Sequence, residues 1–130
     1  MTTIEAKHYD NYNGGGCRIY EDGKSKRKWT ATGCGYDREG TAIADWFFDT
    51  YQEEIRKFFA EKVLHNDDNY VREKHGFYGV WREKDGQIYM DGGTGLSNVR
   101  RVMEQIGYKL TWLNIKSRMS NYYTIEKVKA

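Results

Sequence analysis

The stretch "TATGCGYDREGTAIADWFF", Thr30 to Phe48, joins three signals. A small-residue run, Thr30-Ala31-Thr32-Gly33, leads into Cys34-Gly35-Tyr36-Asp37, and an apolar pattern then begins. Upstream, "GCRIYEDGKSKRKWTATG" holds two β-like runs around Asp22-Gly23, a favoured hairpin turn pair. With a three-residue loop, Glu21 faces Ser25, Cys17 faces Trp29 and Ile19 faces Arg27. Cys17, Ile19, Trp29 and Ala31 then share an apolar face, which a slip of one residue would scatter. In that register Cys34 lies far from Cys17 along the hairpin, which disfavours a bridge between them. Downstream, Ile43, Phe47, Tyr51, Ile55 and Phe59 recur every four residues from Thr41 onward. Trp46, Phe48, Phe58 and Val63 widen this helical stripe. Asp37 is the expected N-cap, its carboxylate accepting amide N–H groups of the first turn.

The polar loop "HNDDN", His65 to Asn69, ends that helix. A second hairpin follows, with "GFYGVWRE" and "QIYMD" flanking Lys84-Asp85-Gly86. Then "GGTGLS" leads into "NVRRVMEQIGYKL", where Leu96, Val99, Val102, Met103 and Ile106 mark a short amphipathic helix. Gly107 is placed to cap its C-terminus. Strands around Tyr108–Ile115 and Tyr122–Val128 close the chain. The order hairpin-helix, hairpin-helix, hairpin predicts a single α+β domain over 1–130. In it a mainly antiparallel sheet built from hairpins packs against two helices.

The composition agrees with one domain. There are 130 residues, 38% of them hydrophobic and 15% aromatic, so a core forms despite a mean hydropathy of −0.90. Two cysteines are too few for a disulfide framework, and no signal peptide or transmembrane run is apparent. This reading places the chain in the cytoplasm, with reduced thiols and no membrane partner. The net charge of +2 is far from that of a strongly basic nucleic-acid binder. The charge is uneven. Asp37 to Glu61 carries seven acids and three bases, a net of −4, and Asn98 to Ala130 carries two acids and seven bases, a net of +5. Lys24 to Lys28 adds four bases.

Both helices are entered through glycine-rich loops, "TGCGYD" and "DGGTGLS". Glycines let amides converge, and a helix N-terminus favours anions, so a nucleotide or phosphate site is one reading. Its residues are Gly33, Gly35, Tyr36, Arg38, Gly93, Thr94 and Gly95. The plainer reading is a tight strand-to-helix corner, because neither loop has a P-loop ending or a dinucleotide fingerprint. Cys34 precedes a helix N-terminus, where a thiolate is favoured. No spacing ties it to a base among His8, His65 and His75, so a packed role is expected rather than a nucleophilic one. His65, Asp67 and Asp68 form too small a cluster to define a metal site. The expectation is therefore no catalytic residue, no metal and no cofactor. Arg18, Tyr20, Lys26, Lys28, Tyr108, Lys109, Trp112, Lys116, Arg118, Tyr122 and Tyr123 interleave cations with rings. Such a pattern suits partner docking or base stacking, and strands are also simply rich in aromatic residues. Within it Lys109, Trp112, Lys116, Arg118 and Tyr122 are the candidate partner-binding residues.

At "TATGCGYDREGTAIADWF" the chain resembles a family of small proteins carried by phages and mobile elements. The shared features are Gly33, Cys34, Gly35, Tyr36 and Asp37, then Arg38, Thr41, Ala42 and Ala44. Gly92 to Gly95 and Gly107-Tyr108 complete the likeness, which spans residues 15 to 128. Gly40 inside the helix start and the bulky Trp46-Phe47-Phe48 depart from the pattern. The resemblance implies a mobile-element accessory protein, and such proteins often act against host defences. Taken with the small size, the many aromatic residues and the missing catalytic motifs, the expectation is a non-enzymatic inhibitor, for example an anti-CRISPR protein. Its partner would be a host defence protein or that protein's nucleic acid. A nucleotide- or nucleic-acid-binding module is the alternative, and a homo-oligomer is left open.

Overall fold

The computed structural model describes residues 1–11, 14–22, 24–32, 35–62, 81–84, 87–90, 95–115 and 119–128. The chain opens with three strands, β1 (Thr2–Asn11), β2 (Gly14–Glu21) and β3 (Lys24–Thr32). Helices α1 (Gly35–Thr50) and α2 (Gln52–Lys62) follow, then a short hairpin of β4 (Trp81–Lys84) and β5 (Gln87–Met90). Helix α3 (Leu96–Ile106) leads into β6 (Tyr108–Trp112) and β7 (Ser120–Lys127). The main sheet has the order β3-β2-β1-β7-β6, and every neighbouring pair is antiparallel. The β4–β5 hairpin forms a separate two-stranded sheet. This is the expected α+β class, a mainly antiparallel sheet packed against helices.

The centre of the sheet differs from the sequence reading. The polar start "MTTIEAKHYD" is the middle strand, paired on one side with β2 and on the other with β7. Its even positions, Ile4, Ala6 and His8, face the helices, while Thr3, Glu5, Lys7 and Tyr9 take the opposite face. Only Ile4 among the inward three is a large apolar residue, so the period of two was faint in sequence.

The first sequence hairpin also pairs differently. Glu21 opposes Lys24, Ile19 opposes Lys26 and Cys17 opposes Ala31. The loop is thus two residues, not three, and a register shift between Arg18 and Ile19 absorbs Arg27, Lys28 and Trp29. Asp22 takes a φ of +49°, the left-handed geometry that a two-residue Asp-Gly turn requires. Its amide donates to the Thr3 carbonyl at 3.0 Å, and its carboxylate accepts from the Thr3 amide at 3.3 Å. The turn therefore also fastens the start of β1.

Helix α1 begins at Gly35, so Asp37 lies in its first turn rather than at the cap. The single long helix expected from Thr41 is two segments joined at Tyr51. Tyr51 and Ile55 keep main-chain bonds across the joint, each 3.0 Å, and the Gln52 side chain donates to the Phe48 carbonyl at 2.9 Å. Ala42, Ile43, Ala44, Trp46, Phe47 and Phe48 are all buried, because the sheet, α3 and β5 all pack against α1. The expected stripe holds through the joint, with Ile55 and Phe59 buried and Phe58 packed at the margin. Val63 lies outside the described residues. On α3, Val99, Val102 and Met103 are buried, and Leu96 and Ile106 pack against them. Gly107 ends α3 at φ +105°, its amide bonded to the Met103 and Glu104 carbonyls. Among the described residues no helix is long and apolar enough to cross a membrane.

Candidate functional site

Among the described residues, the inner face of the sheet carries mostly Ile, Ala, Leu and aromatic side chains, with one polar break. His8 and Cys17 are direct cross-strand partners on β1 and β2. Asn121 opposes Ala6, and Tyr123 opposes Ile4, both on β7. Glu39, one turn into α1, reaches into the space these residues surround. Ala6 at the middle of the group is a small side chain that leaves room for it.

Glu39 accepts three hydrogen bonds there. The Tyr123 hydroxyl donates to Oε2 at 2.6 Å, the Asn121 amide to Oε1 at 2.8 Å, and His8 Nε2 lies 3.1 Å from Oε1. The Glu39 side chain is 12% exposed and that of His8 is 27% exposed, so the group opens to solvent on the histidine side. Burial first, then the bond to Glu39 and its charge, hold the Tyr123 phenol well above its usual range. Burial likewise pushes the Cys17 thiol up to about 12. The charge of Glu39 adds to that, and Arg38 opposes it. Cys17 is thus a free, buried thiol that stays protonated and makes a poor nucleophile. A second polar tie joins α2 to the last strands. The Tyr108 hydroxyl donates to Glu54 Oε1 at 2.7 Å, and Lys127 Nζ lies 3.6 Å from Glu54 Oε2.

A different kind of surface lies at the far end of β6 and β7. Trp112, Leu113, Ile115 and Met119 are exposed, and they supply four of the six exposed large hydrophobic residues among those described. Trp112 is the last residue of β6, and Leu113, Ile115 and Met119 come between it and β7, with left-handed φ values at Asn114 (+51°) and Met119 (+65°). Trp112 is paired with Tyr123, and Leu113 N–H still bonds to the Tyr122 carbonyl at 2.9 Å, so the exposed run starts in the last rungs of the ladder. β6 is also an edge strand of the sheet.

The sequence-predicted residues distribute as follows. Gly33, Gly93, Thr94, Lys116 and Arg118 lie outside the described residues, as do Cys34 and the His65–Asp68 cluster. Gly35 and Tyr36 open α1, and Arg38 is half-buried beside the Glu39 group. Gly95 precedes α3 in an extended conformation and offers no side chain to cap it. The pleat divides the cation and ring series. Arg18, Tyr20, Lys109 and Tyr122 point to the open face, and Tyr108, Trp112 and Tyr123 to the helix side. Arg18 stacks over the Tyr9 ring, 5.0 Å from its centre. The Glu39 group itself was missed by sequence reasoning. Its members come from β1, β2, α1 and β7, and no local spacing links them.

No protein-family model, no curated protein and no solved structure matches the chain.

Proposed function

We propose that this is a non-enzymatic binding protein that docks a protein partner through the end of the β6–β7 pair. The observation that carries this reading is the exposure of Trp112, at the end of β6, together with Leu113, Ile115 and Met119, which follow it before β7. Large apolar side chains exposed within one short stretch of chain suit an interaction surface, and tryptophan is among the commonest anchors of such contacts. Lys116 and Arg118 sit in the same connection in sequence, which suits a partner with an acidic rim. The buried, protonated Cys17 thiol argues against nucleophilic catalysis at that sulfur. The resemblance supplies the partner class. It points to a mobile-element accessory protein acting in the host cytoplasm on a component of host defence, for example as an anti-CRISPR inhibitor.

The test separates binding from folding. Trp112 is 49% exposed and Ile115 is 49% exposed, so a Trp112→Ala, Ile115→Ala double variant should melt close to the parent chain. The same variant should lose most capture of a partner from bacterial lysate, and with it any stoichiometric inhibition. If it captures the same protein as strongly as the parent, the docking surface lies elsewhere. If the parent chain captures no protein but its melting temperature rises with nucleotide, the nucleotide-binding alternative replaces this one.

A further inference from the structure

We propose that His8 Nε2, Cys17 Sγ and a carboxylate oxygen of Glu39 are three ligands of a site for a zinc-class divalent cation. The three donor atoms lie within 4.8 Å of one another. They come from β1, β2 and α1, and the cross-strand pairing of His8 with Cys17 aims both side chains at the helix that carries Glu39. Nε2 and Oε1 are already 3.1 Å apart. Around a tetrahedral zinc with bonds of about 2.0–2.3 Å, neighbouring donors sit about 3.3–3.8 Å apart. The sulfur therefore needs to move by about 1 Å, within reach of a small torsion change.

The donor set selects the metal. One thiolate, one imidazole and one carboxylate suit Zn²⁺ or Co²⁺ and disfavour Mg²⁺ and Ca²⁺, which want oxygen ligands. A supporting ring is also in place. Asn121 and Tyr123 hold the Glu39 carboxylate at 2.8 and 2.6 Å, as outer partners orient metal ligands elsewhere. On binding, His8 takes the tautomer with its proton on Nδ1, exchanged through solvent, so the Nε2 lone pair is free; the His8–Glu39 hydrogen bond gives way to two bonds to the ion, and the Asn121 and Tyr123 bonds stay intact. The thiol proton of Cys17 passes to solvent as the sulfur–metal bond forms. The partly exposed imidazole gives the ion an entry path and a side from which water completes four-coordination. An ion held this way fastens the central strand, its neighbour and α1 at one point, a structural role distinct from partner docking.

The probe is Co²⁺, whose thiolate charge-transfer absorption reports a cobalt–sulfur bond. The reduced, chelator-treated full chain should bind one equivalent, show that band and lose it to added Zn²⁺. Cys17→Ser should abolish the band and Cys34→Ser should keep it. Asn121→Ala, which leaves all three ligands in place, should weaken Co²⁺ binding by about 10–100-fold. Glu39→Gln should weaken it by at least about tenfold while keeping the shape of the side chain, and it decides the matter if Cys17→Ser fails to fold by circular dichroism. No thiolate band in the folded parent chain overturns the proposal. So does a band that survives Cys17→Ser, or a Glu39→Gln variant that binds Co²⁺ as tightly as the parent.

Discussion

Replacing Glu39 by leucine tests whether the polar break in the core is held by hydrogen bonding or only by shape. The substitution removes the acceptor of three donors and leaves an apolar side chain of similar reach. Tyr123 is 2% exposed, so its hydroxyl finds no water in exchange, and stranding it costs about 1–3 kcal/mol. Asn121 and His8 are half-buried and turn partly to solvent, which keeps their loss to about 0.5–1 kcal/mol each. Leucine regains some apolar contact, so the expected net loss is about 2–4 kcal/mol. Unfolding entropy of about 2.1 cal/mol/K per residue makes each kcal/mol worth about 4 °C in a chain of this size. The melting temperature should then fall by about 7–15 °C in chelator at neutral pH, read by circular dichroism. Glu39→Gln keeps a carbonyl oxygen for Asn121 and His8, and the Tyr123 hydroxyl can rotate to accept from the new amide. Its cost should stay below about 1.5 kcal/mol. A double-mutant cycle with Tyr123→Phe should give a coupling of about 1–2 kcal/mol. The reasoning is refuted if leucine costs less than about 0.5 kcal/mol, or if glutamine is as damaging as leucine.

Two further predictions concern backbone and charge. Gly107→Ala should cost about 1–2 kcal/mol through φ alone, because the nearest atom to an added Cβ is the Val128 carbonyl oxygen at 3.6 Å and no clash follows. An unchanged urea midpoint would mean the turn relaxes to negative φ. Asp45 has its carboxyl pushed up to about 6 by burial, so the folded chain prefers it protonated. Its contribution to stability is full below the unfolded value of 3.8 and is lost as pH rises through about 6. Asp45→Asn should therefore stabilise the chain at pH 7 by about 1–2 kcal/mol, discounted because solvent still reaches the side chain, and by almost nothing near pH 3.5. An equal gain at both pH values would show that the carboxylate charge is not the cause.

The parts of the fold that were legible in sequence are those built from near neighbours. The i, i+4 stripe from Ile43 to Phe59 and the α3 positions Leu96 to Ile106 name their own buried face. Gly107 announces the end of α3 because only a residue without a Cβ accepts its φ readily. Legibility fails where distant segments decide. β1 is central because β7, more than a hundred residues away, pairs with its other edge. The shift between Arg18 and Ile19 is equally silent, since "KSKRKWT" pairs plausibly in either register until the two-residue turn fixes one.

The Glu39 group shows the same limit at the level of chemistry. Read alone, His8 is a histidine in a polar start, Cys17 a small strand residue, and Glu39 one acid among seven in an acidic helix segment. Nothing in that segment marks Glu39 apart from Asp49 or Glu53, both exposed on the helix surface. What sets it apart is the position of α1 over the one stretch of sheet where β1 offers Ala6 instead of a large side chain. The hydrogen bonds that result span 31, 82 and 84 residues of sequence. A buried acceptor with three donors across such separations forms only once β1, β7 and α1 are all in place. It therefore specifies their register, because sliding β7 by one residue would turn Asn121 and Tyr123 to the open face and leave Glu39 buried with only His8. A single polar break in an otherwise apolar interface selects one alignment of strands where apolar contacts alone would tolerate several.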